Sequence, residues 1–258
     1  MSNSSEKDEL SEVLEELSLI SSDPPSMREC CLKCRRPKTV CWCPFLPAEP
    51  VAVSSFVIIL QHPGEEKRCL RTAPMLEACL PVGHCMILKG RRFSSYTCTK
   101  LRPIYNSSNT ILMYPGPQAT PLEDLPTIKD GPISYNIIIL DGTWPQAKSM
   151  YRNTEELRRL KQVQIHPSQG SDYVIRTQPT EKSLSTVETA ALALSVLESN
   201  PAIHQILIQP LKALCNFQLK HGAVTHHSKE FLSRNGLDKK INVSSSNITE
   251  QISKDVMR

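Results

Sequence analysis

No stretch of this 258-residue sequence stays apolar for long. Its longest such runs, "SSFVIIL" and "YNIIIL", fall far short of the roughly 20 residues a spanning helix needs, which excludes a membrane helix and a membrane partner. The opening "MSNSSEKDEL" lacks both a basic start and an apolar stretch, so neither a signal peptide nor a transit peptide is expected. The expectation is therefore a reducing, cytoplasmic setting. The stretches "RLKQ" and "LDKK" are poor import signals, and nuclear entry stays open as an alternative. In that setting the ten Cys read as thiols or metal ligands rather than disulfides. No internal repeat is visible. Trp is scarce, with two in the chain, so the place of each is informative.

Hydrophobic content of 40% and charged content of 22% suit a globular protein with one large domain or one domain and a small appendage. The net charge of +4 is unevenly spread. Residues 1–29 carry eight acids against two bases, a net −6, which leaves +10 on the remainder. A basic body behind an acidic tail suits a polyanionic partner as well as it suits an uneven ordinary surface.

Four regions are expected: an acidic tail over 1–28, a cysteine module over 29–47, a folded body over 48–225 and a polar end over 226–258. Leucines at helical spacing in "ELSEVLEELSLI" suggest a short helix in the tail. Strands are expected at "VAVSSFVIIL", "HCMILKG", "TILMYPG", "YNIIIL" and "KQVQIH". Continuous apolar strands point to burial on both faces, as in a mostly parallel sheet flanked by helices. Helices are expected at "RTAPMLEACL", "PQAKSMYRNTEELRRL", "STVETAALALSVLESN" and "PAIHQILIQPLKALCNFQLKHG". Thr143 with Gln146, and Ser185 with Glu188, have the spacing of capping boxes. Helix starts of this kind can hold phosphate or carboxylate, although simple capping explains each box alone.

The run "CCLKCRRPKTVCWCPF" spaces Cys31, Cys34, Cys41 and Cys43 as C-x2-C-x6-C-x-C. Four thiolates this close can wrap tetrahedrally around a structural zinc with no position left for water. Cys30 competes with Cys31 but fits the pairing less well. Four polar loops follow buried strands: "QHPGEEKR" with His62, Glu65 and Arg68, "KGRRF" with Arg91 and Arg92, "YPG" from Tyr114, and "LDGTW". Open α/β sheets bind ligands at the carboxyl ends of their strands, so four such loops suggest a shared site. Asp141 can be a general base, a ligand-orienting acceptor or a turn cap. Trp144 can stack on a base or lie in the core. Arg176 can bind an anion bidentately or form a surface ion pair.

These motifs, taken in order over residues 31–221, resemble the DTW-domain family, whose Asp-Thr-Trp signature stands here as "DGTW". The phrases "CPFLPA", "LQHPGEE", "GRRFS" and "LCNFQLKHGA" most resemble its animal members. The resemblance implies a SPOUT-like fold with a C-terminal knot. It implies a tRNA-uridine aminocarboxypropyltransferase that moves the 3-amino-3-carboxypropyl group of S-adenosylmethionine to N3 of a D-loop uridine, releasing methylthioadenosine. By the same resemblance Asp141 removes the N3 proton. Tyr114, Pro115, Trp144, Arg176, Leu184, Ser185 and Thr186 form the cofactor pocket, and His62, Glu65, Arg68, Arg91 and Arg92 meet tRNA or the cofactor carboxylate. Many relatives have Asn-Thr where this chain has Arg71-Thr72. The alternatives are an RNA methyltransferase on the same fold and a non-catalytic, zinc-containing RNA-binding adaptor.

Overall fold

Aliphatic runs rich in Ile, Leu and Val form strands here because both of their faces are covered. A computed structural model describes Glu16, Ser18 and residues 28–167 and 170–237. Strands β1 (Phe56–Gln61), β2 (Cys85–Lys89), β3 (Thr110–Met113), β4 (Thr120–Pro121), β5 (Asn136–Asp141) and β6 (Lys161–Gln164) form one sheet. Its order is β2-β1-β5-β3-β6-β4, and every pair is parallel. The expected α/β class and parallel sheet are thus present. The short β4 was not expected; its Pro121 has no N–H to donate and sits on an edge strand, where that loss is tolerated.

The helices are α1 (Pro63–Glu66), α2 (Ala73–Cys79), α3 (Leu101–Asn106), α4 (Trp144–Asn153), α5 (Glu155–Arg159), α6 (Thr186–Leu197), α7 (Pro201–Leu207), α8 (Gln209–Lys220) and α9 (Lys229–Arg234). Two expected helices are each split in two. Thr154 leaves helical geometry between α4 and α5, and its buried hydroxyl accepts the Phe93 N–H at 3.1 Å. Pro210 stands in the first turn of α8, and the preceding helix stops before it.

Side chains alternate across the sheet. Ile58, Leu60, Leu112 and Ile138 pack with Phe93, Leu101, Met150 and Leu157 on one face. Val57, Ile59, Ile137 and Ile139 have the other parity and are also buried, on the side where α6 lies against β5. Glu198, just past α6, ties the entry of β1 by accepting the N–H groups of Ser54 and Ser55 at 3.1 and 2.9 Å.

Residues 28–39 form part of a separate small unit. Within it the Cys31 N–H bonds to the Arg36 carbonyl at 2.7 Å, Arg35 adopts a left-handed φ of 59°, and Lys38 pairs with Glu29. The segment from His226, expected as a polar end, contains α9. It docks on a preceding loop through His226 N–H to the Val174 carbonyl and Lys229 N–H to the Gln178 carbonyl, both 2.8 Å. The rest of that end, residues 238–258, lies outside the described residues. So does the expected tail helix, apart from Glu16 and Ser18. Among the described residues no helix is long and apolar enough to cross a membrane.

Candidate active site

Because all strands are parallel, the loops leaving β1, β2, β3 and β5 start from one edge of the sheet. Strand register aligns Gln61 with Asp141 at that edge. Both share the parity of the face covered by α6, and α6 begins at Thr186. The three side chains therefore meet. Gln61 Nε2 donates to Asp141 Oδ2 at 2.8 Å, and the Thr186 hydroxyl donates to Oδ1 at 2.6 Å. The Asp141 carbonyl also accepts the His62 N–H at 2.8 Å, which joins the β1 and β5 exits. The acid at the "DGTW" corner is held by two side-chain donors rather than used to cap its own turn.

The corner itself is tight. Thr143 N–H donates to Gln146 Oε1 at 2.7 Å, one arm of the expected capping box. A methyl group on Gly142 would lie 3.1 Å from Gln146 Cβ and 3.4 Å from His62 Cβ, so a larger residue there must push these neighbours back by a few tenths of an ångström. Trp144, in the first turn of α4, is 46% exposed and lies outside the core.

The turn after β1 brings a second group of charges. His62 caps α1 by accepting the Gly64 N–H on Nδ1 at 3.1 Å. Glu65 is buried and its Oε2 lies 3.2 Å from Arg68 Nε and 4.0 Å from an Arg176 guanidinium nitrogen. Burial pushes the Glu65 carboxyl above its ordinary range. Arg68 and Arg176 pull it back, Asp141 pushes it up, and His62 pulls it back. Asp141, Glu65, His62, Arg68 and Arg176 thus occupy one electrostatic neighbourhood.

Arg176 reaches this neighbourhood because its loop is fixed at several points. The Tyr173 hydroxyl donates to the Leu70 carbonyl at 2.6 Å. Burial raises the Tyr173 phenol to about 12, so it remains a donor. Glu188, buried in the first turn of α6, accepts from Asp172 N–H at 2.6 Å and Ser171 Oγ at 2.8 Å. Between this loop and the segment 226–231 lies a cleft of about 450 Å³, lined in part by Tyr173, Arg176, Lys182 and His227.

Other expected site residues lie elsewhere or are already engaged. The Ser185 N–H donates to the Glu188 carboxylate and Ser185 Oγ accepts the Glu188 N–H, the two arms of the second capping box, and Leu184 beside it is partly buried. Tyr114 has the parity of the opposite face, where it stacks on Tyr151 at 4.4 Å. Pro115 is exposed, and the following Gly116 passes so close to Gln162 that a Cβ would stand 2.5 Å from its Oε1. Arg91 is exposed, whereas Arg92 donates from Nε to the Asn153 carbonyl at 2.9 Å. Asn153 ends α4, about 14 Å along the helix from Trp144. The residue that sequence reading missed is Gln61. The signal for it was a polar residue ending an otherwise apolar strand.

The sulfurs of Cys31, Cys34, Cys41 and Cys43 all lie within 4.8 Å of one another. A zinc ion holding four sulfurs at about 2.3 Å sets edges of about 3.8 Å, so this donor set can hold zinc with a small contraction. Cys30 is exposed and its thiol is directed at the Arg28 carbonyl, which leaves Cys31 in the set.

The chain is also similar to known proteins. The model of the family described as "DTW domain" matches residues 28–219. A Drosophila melanogaster protein named tRNA-uridine aminocarboxypropyltransferase 2 is 52% identical over 217 residues, covering 84% of this chain and 85% of the relative. A Macaca fascicularis protein of the same name is 49% identical, covering 83% of this chain and 72% of the relative. An Arabidopsis thaliana protein named tRNA-uridine aminocarboxypropyltransferase A is 26% identical, covering 77% of this chain and 84% of the relative. No solved structure matches. The chain belongs to the DTW domain family.

Proposed function

We propose that this protein is a tRNA-uridine aminocarboxypropyltransferase that uses S-adenosylmethionine as its donor and a D-loop uridine as its acceptor. One observation carries the reading. The relatives bearing that enzyme name match this chain over most of its length at about half identity, 52% in the Drosophila melanogaster protein. The site geometry is consistent with the chemistry. Uridine N3–H is a weak acid and must lose its proton before nitrogen can attack carbon. When bound, the donor supplies an electrophilic carbon on a sulfonium sulfur. The N3–carbon bond forms, the carbon–sulfur bond breaks with its electron pair going to sulfur, and the N3 proton goes to a base.

Asp141 is that base in this reading. Gln61 and Thr186 hold both of its oxygens in place, so its geometry is set before substrate arrives. Trp144 offers an exposed ring at the same corner on which a base can stack. Arg68 and Arg176 supply cations for the donor carboxylate or for tRNA phosphate, and Arg91 and Arg92 meet phosphate farther out. Leu184 and Ser185, beside the start of α6, shape the site rather than touch reacting atoms, and Tyr114 and Pro115 lie away from it. The four cysteines hold a structural zinc that shapes the module around them.

The test is mass spectrometry of unmodified tRNA incubated with the protein and with donor labelled in the carboxyl carbon or in the methyl carbon. Label from the carboxyl carbon should reach uridine. Methyl label alone on the tRNA would replace this reading with a methyltransferase, and binding without transfer would replace it with an adaptor.

A further inference from the structure

Glu65 holds a polar atom that the fold does not use. Its side chain is 6% exposed, and Oε2 faces Arg68 and Arg176. Oε1 is buried and has no hydrogen-bond partner among the described residues. A buried carboxylate oxygen left without a donor bears its full desolvation penalty, and native chains seldom retain one without a use. We propose that Glu65 Oε1 is the acceptor for a primary ammonium group on the ligand, namely the α-ammonium of the donor's aminocarboxypropyl tail. This rests on the transferase reading above.

Three features select that chemistry. First, only one oxygen is open. A guanidinium prefers both oxygens of a carboxylate, whereas an ammonium is a point charge that one oxygen can receive. Second, the Asp141 charge adds to the cost of ionising Glu65, so a cation beside Glu65 is favoured over a neutral donor. Third, Arg176 belongs both to the cleft lining and to the Glu65 ion pair. A ligand in the cleft meets Arg176, whose guanidinium lies 4.0 Å from Glu65 Oε2 and offers a partner for the tail carboxylate. The arrangement matches a zwitterion, with an acid for its ammonium and a guanidinium for its carboxylate.

The test compares two nucleosides on the full-length protein. S-adenosylhomocysteine and methylthioadenosine are both neutral thioethers, and they differ in whether the sulfur carries the tail or a methyl group. By calorimetry the wild type should prefer S-adenosylhomocysteine. Glu65→Gln should weaken S-adenosylhomocysteine at least tenfold and leave methylthioadenosine unchanged. Equal weakening of both would assign Glu65 a structural role and overturn the proposal. No weakening of either would overturn it too, while leaving the transferase reading intact. Failure of the wild type to bind either nucleoside would sink the donor reading and this assignment together. Should Glu65→Gln not fold, Glu65→Asp keeps the charge but withdraws the oxygen by one methylene, and the same ratio should fall.

Discussion

Replacing Asp141 by Asn separates catalysis from architecture, because the site supplies partners for an amide. Asn Oδ1 can keep the Gln61 Nε2 bond, now 2.8 Å long, and its Nδ2 can donate to a rotated Thr186 hydroxyl. Two charge-assisted bonds become two neutral ones, for a loss of about 1–2 kcal/mol in stability. For a chain of this size that lowers the melting temperature by about 2–8 °C. Loss of a positioned base slows proton transfer by about 10²–10⁴-fold, or roughly 3–5 kcal/mol in the barrier. The catalytic effect therefore exceeds the folding effect. Single-turnover transfer of carboxyl-labelled tail to tRNA measures the first, and a thermal melt measures the second. Asp141→Asn activity within tenfold of wild type would refute the assignment of Asp141 as base. Asp141→Ala is the informative contrast. It leaves the buried Gln61 amide and the Thr186 hydroxyl without an acceptor, and should cost about 2–4 kcal/mol of stability.

Three other perturbations bear on separate parts of the molecule. Wild-type protein should carry one zinc per chain by elemental analysis and Cys34→Ser much less; full retention would remove Cys34 from the ligand set. Burial raises the Glu198 carboxyl, but hydrogen bonds from Ser55 and Ser54 outweigh it and hold the group below its ordinary value of 4.5. Its contribution is thus complete above that value and lost as pH falls through the lower folded value. Glu198→Gln should then cost roughly 1–2 kcal/mol at neutral pH and little in strong acid by chemical denaturation; an equal loss at both would contradict the linkage. Gly142→Ala should force Gln146 and His62 apart and cost about 1–3 kcal/mol in a thermal melt, and an unchanged melt would show that the corner has slack.

What sequence reading captured and what it missed have different physical origins. The strands were legible because "FVIIL" and "NIIIL" are apolar at every position, a pattern that only burial on both faces rewards. The split at Thr154 was not, because nothing local breaks that helix. It breaks where a hydroxyl is needed by the Phe93 N–H, 61 residues away. The split before Pro210 could have been read from the proline alone. The site divides in the same way. The acid in "DGTW" was visible as a candidate, but turn cap, base and orienting group were equal on spacing. The separation of Tyr114 from Asp141 was also written in the pattern. Counted along their strands, the two residues have opposite parity once β3 and β5 are aligned in register. That register is a property of pairing, not of either strand by itself. Gln61 carries the same lesson. At the end of "FVIILQ" it reads as the first residue of a polar loop. Only when β1 and β5 lie side by side does it become the partner of Asp141. The pair then has a consequence for catalysis. An acid whose orientation comes from a strand neighbour and a helix start is fixed by elements of the core rather than by the loop that carries its signature. Substitutions at Gln61 or Thr186 should thus lower the transfer rate without changing tRNA affinity. A loss of tRNA affinity at either position, with the rate on bound tRNA unchanged, would place them in the binding surface instead.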